Sequence, residues 1–108
     1  MTNEISSNIE KDGEKYVVDY LKGNSFTNVT LDMWQYGVSN IKADSWGEKI
    51  LVHIKTSVLP GEPVEISREE RVNILSRAAI VKRNPYAAYV KIDGVKRILE
   101  SIRWEKLN

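Results

Sequence analysis

The sequence predicts an α/β domain in which helices flank a mixed central β-sheet of three to four or more strands. Two observations favour this fold class. A helical pattern is followed by three strand patterns in a row, and a second helical pattern separates these from one or two further strands, which gives the order α-β-β-β-α-β(-β). Strand runs with flanking helices are typical of layered α/β and α+β proteins. The 108 residues have room for one modest core, so we expect a single domain over 1–108.

Composition excludes several classes of protein. The net charge of +1 is not that of a strongly basic nucleic-acid protein, so contact with DNA or RNA would require a local basic patch. The absence of cysteine excludes disulfides and thiolate metal sites, and the single histidine excludes a multi-histidine zinc site within one chain. No apolar run approaches the ~20 residues that span a bilayer, and no leader pattern occurs. We therefore expect a cytoplasmic protein with no membrane partner.

The first predicted element is a helix over 8–22, which Gly23 ends. Residues 1–7 are polar, and we expect them to form a flexible N-terminus. Gly13 interrupts the helix at a cost of roughly 1 kcal/mol relative to alanine, so a start near Asp12 is the alternative. The predicted apolar stripe consists of Ile9, Tyr16, Val17, Tyr20 and Leu21.

Three strands follow. The segment FTNVTLDMW is rich in β-branched and aromatic residues, and QYGVSNIKADS continues as a second strand after a break at Gly37. The third strand, KILVHIKTSV, alternates between two faces. Leu51 is the one apolar residue on its polar face, so the pattern predicts a half-buried strand. The inward residues are Ile50, Val52 and Ile54, and the outward polar ones are Lys49, His53 and Lys55.

A tight turn at Trp46 and Gly47 would join the second and third strands as a hairpin. If the residues on either side of this turn pair directly, Asn40 lies opposite His53 and shares a face with Lys55. A three-residue turn is the alternative, and it would move one strand's side chains to the other face. The turn length therefore determines whether these polar groups meet.

The second helix begins with a capping box. Ser67 is the N-cap, Glu70 stands three residues later, and a helical stripe continues towards Arg83. Asn84 and Pro85 are expected to end this helix. The stripe consists of Val72, Leu75 and Ala79, and the elements that follow are the strand YAAYVKI, a turn at DG and the extended segment VKRILESI.

The order of these elements and their local sequences resemble the PD-(D/E)XK nuclease superfamily, with the closest pattern in archaeal-type Holliday-junction resolvases. The matching stretches are GEKYVVDYLKGNSF, SNIKADSWGEKILVHIKTS and SREERVNILSRAAIVKRNPYAAYVKI. The resemblance covers the chain from about Asp12 to its end. It implies a restriction-endonuclease-like core.

In that family a helix glutamate and two strand carboxylates hold one or two Mg²⁺ ions, and a lysine supports the attacking water. By resemblance Glu14 matches the glutamate and Lys55 the lysine, whereas Asn40 and His53 stand where acids are expected. Mg²⁺ prefers carboxylate oxygens, so these replacements predict an impaired metal site. Glu14 and His53 could still ligate a softer ion such as Mn²⁺. Asp44 at the family aspartate position would need another hairpin register.

The resemblance thus predicts a nuclease-like domain with degenerate acids at its catalytic positions, retained for binding nucleic acid or protein. The alternatives are an active metal-dependent endonuclease that uses Glu14, His53 and Lys55, and a homodimeric interaction module. A cofactor is expected only in the active case, as Mg²⁺ or Mn²⁺. Trp46 could stack on a base or fold back onto Tyr36 or Trp34. With Trp46, the predicted nucleic-acid contacts are Arg68, Arg71, Lys82 and Arg83, and Arg77 belongs to the same basic series.

Overall fold

The computed structural model describes residues 2–35, 38–58, 60–62, 64–93 and 102–107. Within them, two helices and five strands follow in the predicted order. The elements are α1 (Thr2–Gly23), β1 (Thr27–Gln35), β2 (Val38–Ser45), β3 (Glu48–Val58), α2 (Arg68–Val81), β4 (Asn84–Ile92) and β5 (Arg103–Lys106).

The strands form one mixed sheet in the order β1-β2-β3-β4-β5. β1, β2 and β3 are an antiparallel meander, β4 is parallel to β3, and β5 is antiparallel to β4. A parallel pair needs a crossover connection, and α2 supplies it between β3 and β4. The predicted α/β class, mixed sheet and element order are confirmed.

Each face of the sheet carries its own apolar core, one under α1 and one under α2. Leu51 is fully buried on the α2 side, so the expectation of a half-buried third strand is wrong: helices cover β3 on both faces. The core under α1 contains Val17, Leu21, Ile41, Ala43, Ile50, Val52, Ala88, Val90 and Ile92. The core under α2 contains Leu51, Ile74, Ala78, Ala87, Tyr89 and Leu107.

α1 begins at Thr2, not at about Asn8, so the expected flexible N-terminus belongs to the helix. Gly13 lies in its middle, against the side chain of Thr56 on β3. A Cβ at this position would stand 1.8 Å from Thr56 Oγ1 and 2.9 Å from Thr56 Cβ. The glycine that seemed a weak point in the helix is therefore what allows helix and strand to approach.

α2 has the predicted capping box, in which Ser67 Oγ accepts from the Glu70 N–H and a Glu70 oxygen accepts from the Ser67 N–H. Its C-cap is Lys82, in the left-handed conformation at φ 58°. The predicted inward stripe is wrong at Val72, which is exposed, and at Ala79, which lies on the outside, whereas Leu75 packs against the core under α2. The buried residues of the helix are Ile74 and Ala78.

The end of the second helix also differs from the expectation. Asn84 and Pro85 belong to β4, and the helix ends earlier, through the left-handed Lys82. β5 begins after the predicted extended segment 95–102, most of which lies outside the described residues. The optional last strand of the predicted order is therefore present, but it lies at Arg103–Lys106, after the segment in which it was expected.

β1 forms one edge of the described sheet, and its pairing with β2 is irregular. The register shifts between Thr27 and Thr30 and again between Met33 and Gln35. Asn28, inside the first shift, has a φ of 52°. Such shifts leave a residue out of the ladder and increase the local twist.

Candidate functional site: a polar network beneath the second helix

The β2–β3 hairpin has the predicted two-residue turn, with Gly47 at a φ of 98°. Ser45 pairs with Glu48, and Asp44 pairs with Lys49. The Nδ1 atom of His53 lies 3.1 Å from Asn40 Oδ1, so the predicted meeting of Asn40 with His53 is confirmed. Because the register is the predicted one, Asp44 stays near the hairpin tip and away from His53.

Glu70 is the acidic partner of this site. Its Oε2 lies 3.0 Å from His53 Nε2, and both of its oxygens accept from Lys55 Nζ at 2.9 Å. The third side-chain contact is within α2, where Oε1 accepts from the Ser67 N–H at 3.0 Å. One carboxylate therefore ties two polar residues of β3 to the first turn of α2.

These contacts lower the pKa of Glu70. Burial alone would raise it, but the Ser67 N–H, Lys55 and His53 donate hydrogen bonds to the ionised form and bring it to about 2. The side chains of His53, Lys55 and Glu70 are 14%, 22% and 31% exposed, so the network lies close to the surface without being open. At neutral pH the Lys55 ammonium faces an ionised carboxylate.

Glu14 lies on the other side of the sheet. Its neighbour Gly13 touches Thr56, whose side chain projects from the face of β3 opposite to Lys55, because successive strand residues alternate. The predicted grouping of Glu14 with His53 and Lys55 is therefore not found, and Glu70 takes the acidic place beside them. Across the described ranges, no three or more histidine, aspartate or glutamate residues are arranged to hold a metal ion.

A second buried ion pair extends the polar row towards β1. Asp32 lies opposite Asn40 in the β1–β2 pairing and is 3% exposed. Arg77 of α2 donates to both of its oxygens, at 2.9 Å from Nε and 2.7 Å from Nη2. These bidentate bonds hold the pKa of Asp32 below its usual value. The row Asp32, Asn40 and His53 thus crosses three strands beneath one helix.

The predicted nucleic-acid residues divide into two groups. Arg71 donates to Glu105 and to the Leu107 carbonyl, so it ties α2 to the C-terminal strand. Arg83 donates to Asp44 Oδ1 at 2.7 Å and to the Ala43 carbonyl, and its side chain is only 15% exposed. The remaining two, Arg68 and Lys82, are exposed at opposite ends of α2.

Trp46 is fully exposed at the hairpin tip, so it does not fold back onto the sheet. Asp44 stands two residues before Trp46 and forms an ion pair with Arg83, which follows α2. This pair brings the C-terminal end of α2 close to the tip of the hairpin. Lys49, opposite Asp44, is exposed there as well. We call Trp46, Lys49, Lys82 and Arg83 the hairpin end.

Sequence reasoning missed Glu70 and Asp32 as site residues. The sequence marks Glu70 as a capping residue only, and nothing local to it indicates that the first turn of α2 packs over His53 and Lys55. Asp32 was passed over within a strand pattern, and its signal is a charged residue in a β-branched and aromatic run. Both belong to the face that α2 covers.

A scan against protein-family models found no match for this chain, and a search of curated proteins found none either. Neither helix in the described part of the chain is long and apolar enough to cross a membrane.

Proposed function

We propose that this chain is a restriction-endonuclease-like domain of the PD-(D/E)XK superfamily that binds nucleic acid without cleaving it. Its metal centre is replaced by the network of Asn40, His53, Glu70 and Lys55. The fold supports the proposal through its element order, its mixed sheet and the Asn40–His53 contact across the hairpin.

The main support for an inactive metal site is that both ring nitrogens of His53 already have protein partners. Imidazole ligates a metal through one of these nitrogens, so an ion would have to displace Asn40 or Glu70. Lys55 is held by both oxygens of Glu70, and Glu70 also caps α2. Recruiting His53 or Lys55 for catalysis would break the network, and recruiting Glu70 would also remove half of the capping box.

The binding half of the proposal rests on the hairpin end. Trp46 offers a fully exposed indole, and stacking on a base is worth about 1–3 kcal/mol. Lys49 and Lys82 are exposed at the same end, whereas Arg83 is held by Asp44, so the charge that this end offers to a ligand is positive. An aromatic platform inside a small positive patch suits single-stranded nucleic acid better than the groove of a duplex.

A cleavage assay tests the first half. The protein is incubated with branched and linear DNA and with RNA, in Mg²⁺ and in Mn²⁺, beside the Lys55→Ala variant. We expect no cleavage above that of the variant in either metal.

Cleavage that disappears in Lys55→Ala would instead support the rival prediction of an active endonuclease. Glu14→Gln and Glu70→Gln would then identify the carboxylate that serves the metal. The active endonuclease predicted from the sequence uses Glu14 with His53, whereas the contacts of His53 and Lys55 favour Glu70.

An anisotropy titration with a labelled single-stranded oligonucleotide tests the second half. We expect a Kd between about 10⁻⁴ and 10⁻⁶ M at physiological salt that weakens as salt rises. Trp46→Ala should weaken binding at least fivefold, or about 1 kcal/mol. Arg68→Ala is the matched control, because Arg68 lies about 21 Å from Lys82 along α2 at 1.5 Å per residue. Absence of binding at low salt, or full binding by Trp46→Ala, would remove this function.

The homodimeric interaction module stays a prediction. Sedimentation of the protein over a range of concentrations checks it. A dimer that binds no oligonucleotide would favour it over the nucleic-acid proposal.

A further inference from the structure

A recess lies on the face of the sheet that α1 covers, near the C-terminal end of that helix. Its volume is about 190 Å³, below the roughly 300–1,000 Å³ of pockets for drug-sized ligands. Its walls are mostly aromatic, and a single carboxylate is among them. The lining residues are Tyr20, Leu21, Phe26, Glu48, Ile50, Tyr86 and Trp104.

The aromatic walls are fixed by the fold. The rings of Tyr20 on α1 and Trp104 on β5 lie 5.4 Å apart between centroids and are tilted by 40°. Trp104 pairs with Ala88 in the sheet, so its ring stands on the α1 face of the sheet. Trp104 Nε1 is buried, and no described residue accepts a hydrogen bond from it. These two rings contact each other, and Phe26 and Tyr86 complete the aromatic lining of the recess. The π electrons of such rings attract a cation that lies over a ring face.

Glu48 supplies the negative charge. Its Oε2 accepts from Tyr86 Oη at 2.7 Å and from Asn84 Nδ2 at 2.8 Å. Both bonds stabilise the ionised carboxylate and hold the pKa of Glu48 below its usual value. No described residue donates a hydrogen bond to Oε1. The carboxylate is thus anchored through one oxygen and has the other available for a ligand.

Two further electrostatic effects act on the recess, one from the dipole of α1 and one from a lysine. α1 ends at Gly23, beside the lining residue Leu21, and the negative end of the helix dipole favours a cation there. Lys106, exposed on β5, also attracts Glu48 and therefore competes with a bound cation.

We propose that this recess binds a small alkylammonium group, such as the trimethylammonium head of choline or of a methylated lysine side chain. The aromatic rings contact the methyl groups, and Glu48 Oε1 balances the charge.

The test is an NMR titration that follows the indole N–H of Trp104, assigned through the Trp104→Phe variant. The probes are choline, tetramethylammonium and the neutral isostere 3,3-dimethylbutan-1-ol, at constant ionic strength. We expect choline to bind with a Kd in the low millimolar range and the isostere about tenfold more weakly. Equal binding of the isostere would overturn the proposal, and so would an unmoved Trp104 signal at tens of millimolar choline.

Two variants report on the charge. Glu48→Gln keeps an oxygen that accepts from Tyr86 but removes the charge, and it should weaken choline binding about tenfold. Lys106→Gln removes the competing cation and should strengthen it. If both variants bind choline like the parent protein, the assigned role of Glu48 is wrong.

A peptide with trimethyllysine, compared with its unmodified form, separates the two sources of the ligand. Tighter binding of the methylated peptide than of choline assigns the recess to a protein partner, whereas the reverse order assigns it to a free metabolite. If the methylated peptide binds no better than the unmodified one and choline does not bind, the proposal fails.

Discussion

The two faces of the sheet are covered by helices in different ways. Under α1 the contacts are apolar, and they depend on Gly13, which lets the helix backbone approach Thr56. Under α2 a smaller apolar core is flanked by ion pairs that join the helix to two strands, β3 through Glu70 and β1 through Arg77. One face is thus specified by shape and the other by charge.

This difference teaches where the fold tolerates change. Apolar packing is non-directional and fails when volume is added or removed. Buried ion pairs are directional, and they fail when one partner is lost, because the other is left without compensation. Three substitutions test the contrast, in order of expected effect.

Asp32→Ala should have the largest effect. It removes the 3%-exposed partner of Arg77, and breaking a buried pair in this way costs about 3 kcal/mol of unfolding free energy. Urea denaturation measures the change. The double substitution Asp32→Leu with Arg77→Met should return to within about 1 kcal/mol of the parent protein. If the double variant is as unstable as the single one, charge does not specify this face.

Gly13→Ala should come next, at about 2 kcal/mol of lost stability. The new Cβ meets Thr56 at three of its atoms, so rotation of that side chain does not remove the clash and the helix must shift. Gly23→Ala is the matched control, because no atom lies within 4 Å of its added Cβ, and it should change stability by less than about 0.5 kcal/mol. Equal effects of the two alanines would mean that close approach at Gly13 is not required.

Glu70→Gln should have the smallest effect on the free energy of unfolding. The pH dependence of that effect shows whether the charge of Glu70 is responsible for it. The pKa of Glu70 falls from 4.5 to about 2 on folding, so its contribution is complete above pH 4.5 and is lost as the pH falls towards 2. After allowance for solvent screening, we expect a loss of about 1 kcal/mol at pH 7. Glutamine retains the capping box, so the helix start is preserved.

Stability curves of the parent and the Glu70→Gln variant should therefore converge near pH 2. A difference that is independent of pH would show that Glu70 acts through shape and not through its charge.

The sequence predicted the hairpin and its register because both signals are local. The turn at Trp46 and Gly47 and the strict alternation of β3 determine which residues meet, so Asn40 and His53 could be paired without a structure. The Ser67–Glu70 capping box is local in the same way.

The inward face of α2 could not be predicted from periodicity, because polar residues share it with Ile74 and Ala78. Glu70 and Arg77 face the sheet and find partners there, while Val72 and Ile80 point outwards. A pattern of apolar spacing then selects the wrong side. The position of Glu14 failed for a related reason: the resemblance supplied a residue match, but the side of the sheet on which α1 packs is a property of the tertiary fold.

The irregular pairing of β1 has a consequence for self-recognition between chains. An edge strand offers a row of unpaired backbone groups on which another chain can add a strand. The shift at Asn28, with its positive φ, interrupts that row near the start of the strand, and the second shift interrupts it near the end. An incoming strand would find only a short regular stretch around Leu31, and β1 is thereby protected against edge-to-edge aggregation.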